Sequence, residues 1–439
     1  MKFISTKGDS KPVSFSEAVL KGLAPDGGLY VPDKWPRLDD EFINNIHQKS
    51  LQEIGFEVSR LFVDELDDNS LREVIDGAMN FDAPLVSIED RTHILELFHG
   101  PTLAFKDFGA RFMSRIFSAF REDKEQDIVI LAATSGDTGS AVAQGFLGVE
   151  GIKVCLLYPS GKVSRLQEQQ LTTAGQNVTA LEVNGTFDDC QKMVKQAFSD
   201  AELNRQLILS SANSINIARL VPQSFYYLYA LKQLGESVGA PIFCVPSGNF
   251  GNLTAGLMAH KIGMPATGFI AATNVNDVVP EYLETGSFNP RPSERTISNA
   301  MDVGNPSNFS RIEYLFGNNH ETIQKHIWGA SFSDEQTRQA IQEVKKETGY
   351  LLDPHTAVGY LAVKKYRKNA AGYFSESGET PFVILSTAHP AKFGDVIEPA
   401  TGEEVPIPDR LAESLKKEKQ SIKLENDFGH LKQLLMQRY

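Results

Sequence analysis

Ile128-Val129-Ile130-Leu131-Ala132-Ala133-Thr134-Ser135-Gly136-Asp137-Thr138-Gly139-Ser140 is an unbroken apolar run that ends in a glycine-bearing polar loop. A run of this kind reads as a strand buried on both faces, as in parallel sheets. Similar runs occur at Val154–Tyr158, Val178–Val183, Leu207–Ser211, Ile242–Val245, Gly268–Ala272 and Phe382–Leu385. Between the early ones lie stretches of helical period. From Asp107 to Phe120 the apolar residues Phe108, Phe112, Met113, Ile116, Phe117 and Phe120 share one helix face, with Asp107 placed to cap it. Ser164–Ala174, Thr186–Phe198, Ile215–Leu234 and Asn252–Ile262 look alike. Strand–helix alternation of this spacing predicts α/β architecture with largely parallel sheets, and the runs are enough for two sheets with a ligand between them.

The flanks differ. Residues 1–80 hold a turn-rich piece, Ala24-Pro25-Asp26-Gly27-Gly28, and amphipathic segments such as Ile43 to Phe62, which predict a mostly helical N-terminal region. Residues 286–332, with Asn289-Pro290-Arg291-Pro292-Ser293, read as a long loop or insert. The Lys/Glu run between Leu411 and Tyr439 reads as a solvated helix face.

A chain of 439 residues suggests about two or three folding units. It can bury enough surface to need no metal or disulfide. With 41% hydrophobic and 23% charged residues, 34 Gly and 21 Pro, it is neither disordered, collagenous nor coiled-coil. The net charge of −13 argues against nucleic acid and anionic membranes as partners. An anionic substrate therefore needs a local site. Cys155, Cys190 and Cys244 form no metal or disulfide pattern. The N-terminus lacks a signal-peptide apolar core, and no stretch approaches the ~18 apolar residues of a membrane span. A cytoplasmic setting is expected.

The polar loop after Ala133 has a counterpart, Ser247-Gly248-Asn249-Phe250-Gly251-Asn252, after Ile242–Val245. Glycines let backbone N–H groups converge, and a following helix start adds partial positive charge, so such loops hold phosphate without basic side chains. The alternative is a pair of tight strand-to-helix turns. Neither GxxxxGK[ST] nor an early GxGxxG occurs, which disfavours P-loop hydrolases and nicotinamide dehydrogenases. The segment His99-Gly100-Pro101-Thr102-Leu103-Ala104-Phe105-Lys106-Asp107-Phe108-Gly109-Ala110-Arg111-Phe112 sets one lysine among apolar neighbours at a helix mouth. Lost hydration lowers the pKa of such an amine and suits it to imine formation; the alternative is a snorkelling surface lysine.

His99–Phe112, Ser135–Ser140 and Ser247–Asn252 resemble the motifs of threonine synthases of the bacterial and fungal type. So do Gly22-Leu23-Ala24-Pro25-Asp26-Gly27-Gly28-Leu29-Tyr30, Asp353-Pro354-His355-Thr356-Ala357-Val358-Gly359 and Ser386-Thr387-Ala388-His389-Pro390-Ala391-Lys392-Phe393, in the family's order and across nearly the whole chain. The resemblance implies a two-domain pyridoxal 5′-phosphate enzyme of fold type II (tryptophan synthase β-like) with an added helical N-terminal region. It implies a division into 1–80, a large cofactor-binding domain of 81–110 plus 220–405, a small α/β domain of 111–219, and a helical tail of 406–439. The implied reaction converts O-phospho-L-homoserine and water to L-threonine and phosphate, by γ-elimination and β-addition of water.

By the same resemblance, Lys106 holds the cofactor aldehyde and is the catalytic residue. Gly248, Asn249, Phe250, Gly251 and Asn252 cradle the cofactor phosphate, and Thr387 faces the pyridine nitrogen. Ser135, Thr138, Asn213, Ser214 and Arg219 receive the substrate, with a helix-surface charge as the alternative for Arg219. Lys392 is either a ligand of the substrate phosphate or a surface lysine. Asp137 stands where several related synthases have Asn beside the cofactor's 3′-oxygen, so it belongs to the cofactor's surroundings with its role open. A serine or threonine dehydratase and a catalytically dead small-molecule binder are the competing readings. A small-molecule substrate is expected, for a monomer or homodimer.

Overall fold

The computed structural model describes residues 1–121, 126–134, 136–235 and 239–439. Its first two strands, β1 (Phe3–Ser5) and β2 (Tyr30–Pro32), pair antiparallel. Helices Phe15–Lys21, Asp40–Asn44, Leu51–Arg60 and Asp68–Ala78 accompany them, so the N-terminal region is mostly helical as expected. The third helix starts on a capping box between Ser50 and Glu53.

Two sheets follow. The larger contains β3 (Leu85–Glu89), β4 (Thr92–Glu96), β9 (Ile242–Pro246), β10 (Gly268–Thr273), β11 (Ile327–Ser331) and β12 (Phe382–Ser386), in the order β11-β10-β9-β12-β4-β3. All neighbours are parallel except β3 against β4. The smaller contains β5 (Ile128–Ala133), β6 (Ile152–Pro159), β7 (Val178–Asn184), β8 (Ile208–Ser210) and β13 (Ile422–Glu425), in the order β13-β7-β6-β5-β8 and parallel throughout.

Every residue of β5 is buried, which explains its unbroken apolar run. Alternation divides its side chains between two cores: Ile128, Ile130 and Ala132 join one cluster, Val129, Leu131 and Ala133 another. The larger sheet divides likewise. Phe243, Val245, Val383 and Leu385 share a core with Ile128, Ile130 and Ala132, whereas Ile242, Cys244, Phe382 and Ile384 pack in a third cluster. The shared cluster is the apolar layer that joins the two sheets and the N-terminal helices.

Some expectations are corrected. Residues 286–332 are not all loop, because helices Phe309–Leu315 and His320–His326 and strand β11 lie within them. Gly329 and short element lengths hid these from a periodicity reading. The tail is not purely helical either. Between helices Asp409–Leu415 and Phe428–Arg438 it supplies β13, the edge of the smaller sheet. Only Leu424 of that strand is buried, so its pattern was lost in the charged run. Strands β3 and β4 were also absent from the predicted runs, since Thr, His and Glu interrupt them.

Candidate active site

Parallel strands set their carboxyl ends along one edge of each sheet, where loops gather to bind ligands. The Lys106 segment follows β4, the Gly136 loop follows β5, the Gly248 loop follows β9, and the Thr387 segment follows β12. Backbone bonds fix the first of these to the last. Phe105 N–H donates to the Thr387 carbonyl at 2.9 Å, His389 N–H donates to the Leu103 carbonyl at 3.1 Å, and Ala104 bridges Ala388. Lys106 and Thr387 are thus held in adjoining backbone segments by main-chain pairing that no local sequence pattern specifies.

Helix Lys106–Phe120 begins at Lys106 itself, with Phe105 as its uncapped N-terminal flank. Asp107 is therefore not the cap predicted for it. It lies in the first turn, and its buried carboxylate accepts from Thr102 N–H at 2.8 Å and Thr102 Oγ1 at 2.7 Å. The short loop before Lys106 is closed by that contact, and a Cβ at Gly100 would reach Asp107 Oδ2 at 2.4 Å. Burial pushes the Asp107 carboxyl up to about 6 against those two hydrogen bonds.

Lys106 is partly exposed as a residue. Its surroundings still strip enough water to bring its pKa down to about 8, with Asp137 opposing the shift and Lys392 and Arg219 adding to it. This is the desolvated amine that the apolar neighbours predicted. In the cofactor-free chain, reductive labelling of Lys106 by a small aldehyde should show a midpoint near pH 8. Asp137→Asn should move that midpoint down, because a charge that favours the ammonium is lost. Peptide mass spectrometry across pH 6 to 11 reads it; a midpoint like that of exposed lysines contradicts the assigned environment.

Lys392 is no surface lysine. Its side chain is fully buried, and Nζ lies 2.5 Å from Asp137 Oδ1 and donates to the Thr102 carbonyl at 2.9 Å. Gln167 Nε2 donates to the same Asp137 oxygen at 3.2 Å. Burial alone would raise the Asp137 carboxyl, but the Lys392 and Lys106 ammoniums hold it well below the usual range. Because Asp137 follows β5 and Lys392 follows β12, this ion pair ties the smaller sheet to the larger beside Lys106. Gly136 turns the chain into Asp137 at φ 153° and ψ −116°, and a Cβ there would meet Gln167 at 2.7 Å, so glycine is required twice over. Thr138 follows in the first helical turn, partly exposed. Ser135 lies outside the described residues.

The Gly248 loop has the geometry of an anion cradle. A Cβ at Gly248 would meet the Ala300 carbonyl oxygen at 2.4 Å. Phe250 takes the left-handed conformation, φ 60°, at the N-cap of helix Gly251–Lys261, a strain that surrounding structure must hold. None of the N–H groups of 248–252 is bonded to a carbonyl of the described residues, which leaves them as orphan donors at a helix start. The Asn252 side chain points elsewhere: Oδ1 accepts from Tyr226 and Tyr227 hydroxyls at 2.7 and 2.8 Å, while its Nδ2 has no partner. Asn249 Nδ2 donates to Ser214 Oγ at 2.7 Å, which brings Asn213 and Ser214, both partly exposed, to the cradle's side.

Arg219 is not a helix-surface charge. Only 2% exposed, it donates to the Ala212 carbonyl at 2.6 Å, and its Nε has no hydrogen-bond partner. Gly109 makes room for it, since a Cβ there would meet Arg219 Nε at 2.7 Å. Burial lowers its pKa to about 10, with Asp107 opposing.

Sequence reasoning missed Thr102 and Gln167. Thr102 lay inside a quoted motif without a role, and Gln167 lay in the helical stretch Ser164–Ala174, where the structure shows it closing a capping box with Ser164. The Asp353–Gly359 block acts beneath the site. Asp353 caps helix Pro354–Asn369, bonds His355 and Thr356, and Thr356 Oγ1 donates to Ser386 Oγ at 2.8 Å, bracing the strand end before Thr387.

A desolvated amine of lowered pKa, unpartnered N–H donors at a helix start and a strand-end hydroxyl fit an aldehyde-bearing phosphate ester on a ring. Residues 91–387 match the family described as pyridoxal-phosphate dependent enzyme, which sets the class of the protein. Residues 2–79 match the threonine synthase N terminus, and 356–435 match the threonine synthase C-terminal family. The threonine synthase of Haemophilus influenzae is 42% identical over 438 residues, spanning 99% of this chain and 100% of the relative. The crystal structure of threonine synthase from Escherichia coli has a TM-score of 0.91 at 42% identity, with 100% of both chains covered. PLP-bound threonine synthase from Brucella melitensis has a TM-score of 0.91 at 35% identity, covering 100% of this chain and 99% of that one. The chain belongs to the threonine synthase family, enzymes of fold type II with pyridoxal 5′-phosphate as cofactor.

Proposed function

We propose that Lys106 is the catalytic amine of a reaction that turns O-phospho-L-homoserine and water into L-threonine and phosphate. The observation that carries this is the position of Lys106, directly after residues 103–105 that are backbone-paired to the Thr387 segment, and within electrostatic range of the cations Lys392 and Arg219. A deaminase of threonine itself has no leaving phosphate for such cations to meet.

The N–H groups of Gly248, Asn249, Phe250, Gly251 and Asn252 would hold the cofactor phosphate, and Thr387 Oγ1 would meet the ring nitrogen. When bound, pyridoxal phosphate supplies an electron sink for charge left on the substrate's carbons, and a neutral hydroxyl at the ring nitrogen tunes that sink differently from a carboxylate. Lys106 Nζ would take the proton from the substrate's α-carbon, a task for which its lowered pKa suits it near neutral pH. Thr138 and Ser135 would bind the substrate's carboxylate or phosphate. Asn213, Ser214, Arg219 and Lys392 would hold the phosphate as it leaves, with water then adding at the β-carbon. Asp137 keeps Lys392 aimed at this space and belongs to the cofactor's surroundings.

The two sheets support the proposed division into a large and a small domain, except that β13 assigns part of the tail to the small one. No helix of the described residues is long and apolar enough to cross a membrane, and all three cysteines are free and buried. The small-molecule chemistry of the threonine synthase relatives supports a small-molecule substrate, and the proposed setting is cytoplasmic, as monomer or homodimer. Purified protein given O-phospho-L-homoserine should release phosphate and threonine in equal amounts. Formation of 2-oxobutyrate from threonine with no phosphate release from the phosphorylated substrate would overturn the reading.

A further inference from the structure

Arg311, in helix Phe309–Leu315, is 1% exposed, yet among the described residues no carboxylate pairs with it. All its bonds go to neutral oxygens. Nε and Nη2 donate to the Tyr30 carbonyl at 3.1 and 3.0 Å, Nη2 also to the Ile215 carbonyl at 2.7 Å, and Nη1 to Asn308 Oδ1 at 2.7 Å and the Ser214 carbonyl at 3.4 Å. A buried guanidinium normally needs an anion to offset its desolvation.

Its partners lead to the Gly248 loop by two routes. Asn308, held by Arg311, donates through Nδ2 to Ser214 Oγ at 3.4 Å, and that oxygen also accepts from Asn249. A Cβ on Gly251 would lie 3.5 Å from both Asn308 Nδ2 and Ser214 Cβ, so these side chains form the wall behind the helix start. Ser307 N–H donates to Asn249 Oδ1 at 2.6 Å, closing the ring. The Tyr30 carbonyl comes from the end of the Gly22–Tyr30 block, which has no other part in the site. That block is itself folded about Asp26, whose Oδ1 accepts from Ser5 Oγ at 2.7 Å and Gly28 N–H at 2.8 Å. The N-terminal region also grips the segment after Ser214 and Ile215, where Asn216 Nδ2 donates to the Val19 carbonyl at 2.8 Å.

We infer that Arg311 is a positioning residue and the buried counter-charge of the Gly248–Asn252 cradle: it braces Asn308 and Ser214 behind the loop and supplies the positive charge that a bound phosphate dianion offsets. This rests on the reading of that loop as the cofactor-phosphate site. It also gives the N-terminal block a function, as the donor of the carbonyl that fixes the guanidinium. The anion completes the charge balance, so Arg311 costs the fold most when the cradle is empty.

The test compares the affinity of the full chain, stripped of cofactor, for pyridoxal 5′-phosphate and for pyridoxal, which differ only in the phosphate. Arg311→Gln should cut the preference for the phosphorylated form by about tenfold or more, from loss of a full charge in a low-dielectric surrounding, with pyridoxal affinity held within about threefold. Arg311→Lys keeps the charge but loses the planar fork, and should reduce the preference by about threefold. A purely structural arginine would lower thermal stability and leave the preference as in the wild type; that result in either folded variant overturns the inference. Were the wild-type chain itself to bind both compounds equally, the cradle assignment would fail first, and this inference with it.

Discussion

Lys106→Ala is expected to lose at least ~10³-fold in threonine formation while remaining folded. The fold has little reason to object. Lys106 is the first residue of its helix, makes no cap, and alanine is the most favourable helix former. Its nearby charges, Asp137 and Lys392, already satisfy each other, so no buried carboxylate is orphaned by its removal. The chemistry has no substitute: Lys392 is committed to Asp137 and the Thr102 carbonyl, and Arg219 cannot lose a proton near neutral pH. Turnover, the visible absorbance of lysine-bound cofactor, and borohydride labelling should all be lost together. Retained turnover, or a reduced label on another lysine, would remove the central assignment.

Breaking the ion pair beside it should show the largest effect on stability. Lys392→Met leaves the Asp137 carboxylate buried with Gln167 as its remaining hydrogen-bond donor, and loss of one partner from such a pair costs about 3–5 kcal/mol. Adding Asp137→Asn removes the stranded charge, so the double variant should recover a substantial part of the loss. Denaturant midpoints of the wild type, both single variants and the double variant form the cycle that measures it. Activity should fall in Lys392→Met and stay low in the double variant, because on the proposed reaction the cation would attract the leaving phosphate. A Lys392→Met chain as stable and active as the wild type would mean that the pair neither joins the sheets nor serves the site.

The same pair shows what a sequence leaves open. Lys392 could be read as ligand or as surface residue, and Asp137 only as a carboxylate of open role where several related synthases have Asn. They stand 255 positions apart, and nothing local specifies that they meet. Arg219 carried the same ambiguity, resolved by burial under Gly109. Arg311 lay in a segment read as loop, because a short helix with one buried face gives no periodic signal above its Pro- and Asn-rich surroundings. Asp107, a plausible cap by position, turned back to Thr102 instead. Its choice depends on the loop's path before the helix, which residue preference does not encode.

By itself the sequence determined the alternating strand and helix order, the glycine loops after two of the strands, one lysine among apolar neighbours at a helix mouth and the family motifs. Each of these rests on interactions within a few residues: side-chain period, φ freedom at glycine, apolar neighbours of one amine. The tertiary structure decided which loops face one another, that Lys392 and Asp137 join the sheets, that β13 returns to the smaller sheet's edge, and that Arg311 stands uncompensated behind the cradle. Those outcomes depend on burial and on charge across long separations, and desolvation acts on a group only once the whole fold has closed around it.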